Sequence, residues 1–94
     1  MNATNAATLA NLKALRAAAS AALEAMNAAS ENGTSAEWLA AWKAAKPVSE
    51  AARAEEARIV AAGFGGDVDF EYAVLGRLQR RHTDPCIVQH RDLR

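Results

Sequence analysis

The stretch Asn32–Pro47, NGTSAEWLAAWKAAKP, holds two breaks and the helix between them. Asn32-Gly33 reads as a helix stop of the left-handed kind that glycine favours. Thr34 and Glu37 stand three apart, the spacing of a capping box, and they open the next helix. Trp38, Trp42 and Ala45 then share one helical face. At the far end stands Lys46-Pro47. A residue before proline avoids the α region, and proline is at home in the first turn of a helix. On this reading one helix ends near Lys46 and another starts at Pro47. A single kinked helix through Pro47 is the alternative.

Toward the N-terminus, alanine density makes helix the expected state, because alanine is the best helix former. Leu9, Leu12, Leu15, Ala19, Leu23 and Met26 recur at three- and four-residue spacings, which predicts a helix from about Thr4 to Ser30 with an apolar stripe about 120° wide. Toward the C-terminus, the segment after Pro47 places Val48, Ala52, Ile59 and Ala62 on one side and stops at Gly63. Its Arg53, Glu55, Glu56 and Arg58 read as a solvated face with helical ion pairs. After the glycines, Asp67 or Asp69 is the cap of a last helix, with Phe70, Val74, Leu75 and Leu78 on its apolar face. The expected fold is all-α: a small bundle of three to four helices over residues 1–82, with a short irregular C-terminal tail over 83–94. The expected core is Leu9, Leu12, Leu15, Leu23, Met26, Trp38, Trp42, Ile59, Phe70, Val74 and Leu78. The tryptophans are expected between the first and third helices.

Ninety-four residues make one domain, and about half of the 51% hydrophobic content is alanine. The large side chains suffice for a thin core. Eleven acids balance eleven bases, so no global positive field draws nucleic acid or an anionic membrane. Cys86 is the single cysteine, which excludes an intramolecular disulfide and points to a reducing compartment. The start, MNATNAATLANLK, lacks the basic and apolar blocks of a signal peptide, and no run is long enough to cross a bilayer. A cytoplasmic location is expected.

Candidate chemistry is thin. Gly63-Phe64-Gly65-Gly66 resembles a phosphate loop only in its glycines, because Asp67, Asp69 and Glu71 follow where a cation is needed. The same acids lack the twelve-residue calcium pattern. His82, Cys86 and His90 stand four apart, but Pro85 interrupts the helix that would align them, and two ligands do not make a zinc site. The chain is too short to enclose a substrate around a Cys-His pair. No catalytic set, metal site or cofactor is expected.

Contact surfaces remain. Phe64 sits between glycines, where it either plugs the core or anchors a partner. Arg77, Arg80 and Arg81 make a basic end to the last helix. These four are the expected partner-binding residues. The expected partner is another protein, with a second copy of the chain as one form. The composition suits a phage or mobile-element product, either an inhibitor docking on a host complex or a small virion or assembly component. The alternative is a nucleic-acid-associated regulator using the arginines. Against it, a recognition helix reads with its N-terminus, which here is acidic.

Overall fold

In a computed structural model, residues 1–77 are described, and they are all-α with no strands. Helix α1 runs Ala3–Asn32 and helix α2 runs Ser35–Ala62. They pack antiparallel as a long hairpin, and a short helix α3, Val68–Leu75, lies against α1. At 1.5 Å per residue the hairpin is about 42–45 Å long and α3 about 12 Å. One short helix therefore covers only part of the hairpin.

The largest difference from the sequence reading is at Pro47. It lies inside α2, which continues through it as one helix. A proline inside a helix removes one hydrogen bond and crowds the preceding turn. Two things outweigh that here. The α1-facing side of α2 keeps its register across the proline, with Ala45 and Ala52 buried and Val48 half-buried. Pro47 itself is exposed, so water reaches the Lys43 carbonyl that the proline cannot satisfy.

Gly33 also differs. Its backbone is extended (φ −107°, ψ −174°), not left-handed, while its N–H still bonds the Ala29 carbonyl at 2.9 Å. Glycine is required there for space. A Cβ would sit 2.7 Å from the Glu37 carboxylate and 2.9 Å from the Ala29 carbonyl. The capping box forms as the spacing predicts: the Thr34 hydroxyl accepts from Glu37 N–H, and Glu37 accepts from Thr34 N–H.

The core sits at one end of the hairpin. Leu9, Leu12, Ile59, Phe64, Phe70 and Val74 are buried together, with Ala73 and Leu75 packed against them. The expectation holds for Leu9, Leu12, Ile59, Phe70 and Val74. Leu15 and Met26 are half-buried. Ala73, outside the expected core, also packs on it. Leu23, Trp38 and Trp42 are corrections: all three are exposed. They lie toward the hairpin turn, beyond the reach of α3, and no other helix among the described residues covers them. Leu78 lies outside the described residues, as do the tail and most of the expected domain boundary.

Candidate functional site

The covered end explains the open one. Asp67 caps α3, with its Oδ1 accepting from the Phe70 N–H at 3.1 Å. Its Oδ2 accepts from the Asn5 amide on α1 at 2.8 Å. The Asn5 hydrogen bond, more than any other contact, holds the Asp67 carboxyl below the usual aspartate range; burial opposes this, and the Phe70 N–H and the Met1 amino group add to it. At the other end of α3, Arg16 Nη2 donates to the Val74 carbonyl at 2.8 Å and to Glu56 Oε1 at 2.8 Å. Val74 is one residue from the end of α3, so this guanidinium occupies a carbonyl that the helix leaves free, at the negative end of its dipole. Gly76 then turns the chain in the left-handed region, φ 78° and ψ 3°. Asn5 meets the start of α3 and Arg16 its end, so α3 runs in the direction of α1.

The hairpin continues past this clamp. Residues seven apart on a helix lie on one side, two turns on. Leu23 follows Arg16 at that spacing, and Trp42 precedes Ser49 and Glu56 at it. Leu23 and Trp42 thus stand on the side of the hairpin that carries α3, beyond its end. The rings of Trp38 and Trp42 stack, with centroids 6.4 Å apart and planes 21° apart. Lys46 Nζ lies 5.6 Å from the Trp42 ring centre, a cation–π contact. Trp38 is 38% exposed, Trp42 40% and Leu23 50%. Leu39 extends the patch on its outer edge. At the foot of Trp38 a shallow hollow is lined by Ala29, Ser30, Gly33, Thr34 and Ser35.

Comparison with protein families, curated proteins and solved structures finds no match.

Of the residues expected to bind a partner, Phe64 and Arg77 are among those described. Phe64 is buried, packed edge-to-face on Phe70 with centroids 5.7 Å apart. Of its two readings, plug or anchor, the structure shows the plug; the turn at Gly63 (φ 86°) and Gly65 (φ 62°) feeds the ring inward. Arg77 is exposed but stands past Gly76, so it is not on the last helix. Arg80, Arg81, His82, Cys86 and His90 lie outside the described residues. Asp67 is occupied by the α3 cap and Asn5, and among the described residues no group of His, Cys, Asp and Glu is placed to hold a metal ion. Nor is any helix among them long and apolar enough to cross a membrane. Arg58 pairs with Glu55 on α2 and holds that carboxyl below the usual glutamate range.

Arg16 and Asn5 are the residues that sequence reading passed over. The signal was present: Asn5, Leu9, Leu12, Arg16 and Ala19 follow one three–four spacing, so both polar residues sit within the apolar stripe. A polar residue in that position needs a partner, and α3 supplies it.

Proposed function

We propose that the protein is a non-enzymatic, helical protein-docking module that works through Trp38 and Trp42. One observation carries the reading. Two stacked tryptophans stand partly exposed on the half of the hairpin that α3 leaves bare, in a chain with few other large side chains. A core function for these rings would place them where Leu12 and Phe70 are. Tryptophan is the residue most enriched at binding hot spots, because one side chain removes a large apolar area from water at little entropic cost. Stacking fixes both rings before a partner arrives, which lowers the ordering cost of binding. Docking on a host complex and service as an assembly component both need such a surface.

A tagged full-length chain, incubated with extract of its native cell, tests this. It is expected to retain a protein in stoichiometric amount, and Trp38→Ala with Trp42→Ala is expected to lose it while keeping wild-type helicity by circular dichroism. Unchanged retention by the double variant overturns the reading.

A further inference from the structure

The same protomer carries a second uncovered apolar feature, and it has the shape and charge of an occupant for the first. Phe70 and Val74 turn α3 inward, so Val68 and Tyr72, four apart, form a ridge pointing away from the hairpin. They are 56% and 58% exposed. The only charged residues within α3 are acids, Asp69 and Glu71; the Met1 amino group lies 4.0 Å from Asp69 Oδ2, and the Asp69 side chain remains 82% exposed. In the stretch Trp38–Lys46 the only charged residues are bases, Lys43 and Lys46. An acidic apolar ridge and a basic apolar face thus lie on one side of the molecule, end to end.

Resting on the docking reading above, we propose that the partner is a second copy of this chain. Two copies face each other across a two-fold axis that lies between them and runs perpendicular to the helices. That operation sets the α3-covered end of each hairpin against the open end of the other. Each Val68–Tyr72 ridge enters the partner's Trp38–Trp42 face, and Asp69 meets the partner's Lys46. A two-fold contact needs a surface that is complementary to itself, and a ridge and a face of opposite charge on the same side meet that condition. One operation then covers all four patches. Among the described residues no single-protomer packing does so, because α3 cannot turn its outer ridge toward its own hairpin without exposing Phe70 and Val74.

Sedimentation of the full-length chain over a concentration series tests this. The wild type, 9.9 kDa per chain, is expected to reach twice that mass as concentration rises into the micromolar range, at about 1–100 µM. Trp42→Ala and Tyr72→Ala are each expected to weaken association by roughly tenfold or more while keeping helicity. Lys46→Glu alone and Asp69→Lys alone are each expected to weaken it, and the double exchange to recover it. Recovery is the signature of a contact between these two residues, which a loss of folding cannot mimic. A monomeric mass up to about 500 µM overturns the proposal, as does a dimer indifferent to Trp42 and Tyr72. If the wild type is monomeric while the tryptophan pair still captures a different protein, the docking reading stands and only the second copy is discarded.

Discussion

Arg16 joins three helices through one guanidinium, and Phe64 shows how little chain such a joint needs to hold. The loop between α2 and α3 is short, and its single aromatic completes the core against Phe70. Phe64→Ala is expected to cost about 3–4 kcal/mol in urea unfolding. Leu23→Ala, on the exposed half, is expected to change stability by no more than about 0.5 kcal/mol. Equal costs would mean that Leu23 is buried and that the open end is closed. Asp67 gives a pH signature. Its folded pKa is lowered from an ordinary value of about 3.9, so its contribution is complete above that pH and is lost as pH falls through the folded value. Asn5→Ala removes the principal cause. Its destabilisation, read from thermal melts, is expected to be larger at pH 7 than near pH 2; an equal loss at both would show that Asn5 acts through packing alone. Residue identities of this kind were half legible. The capping box and the Asp67 cap follow from local spacing, whereas the fate of Phe64 depends on which helix arrives above it, and no local rule carries that.

The elements show a similar division. The leucine spacing of α1, the stop at Gly63 and the start at Asp67 are local features, and they appear where the sequence places them. Pro47 was misread because its penalty is local while its compensation is not. Ala45, Val48 and Ala52 keep one packing face on α1, and that face decides the matter. Since α2 is already continuous, Pro47→Ala is expected to stabilise the protein by about 1–3 kcal/mol, restoring the missing hydrogen bond without altering any contact. Urea unfolding measures this. A neutral or destabilising result would show that Pro47 itself shapes the α1 contact. The last helix was expected to run on through the arginines. Helix α3 ends at Gly76 instead, which takes Arg77 off its surface.

At the scale of the whole molecule, a hairpin of about 42–45 Å is covered by a helix of about 12 Å, and the uncovered remainder holds both tryptophans. Composition foresaw a thin core. It did not place the tryptophans, because the spacing that puts them on one face is the same whether or not a helix covers it. Trp38 and Trp42 are the only tryptophans in the chain, so selectively excited tryptophan emission reads this face. The direct measurement is their emission maximum and acrylamide quenching in the full-length chain, followed from dilute to concentrated solution. The account predicts red-shifted, readily quenched emission at low concentration, turning blue-shifted and protected as the mass doubles. Emission already blue-shifted and protected in the dilute monomer would contradict it, because the chain would then be covering the face itself.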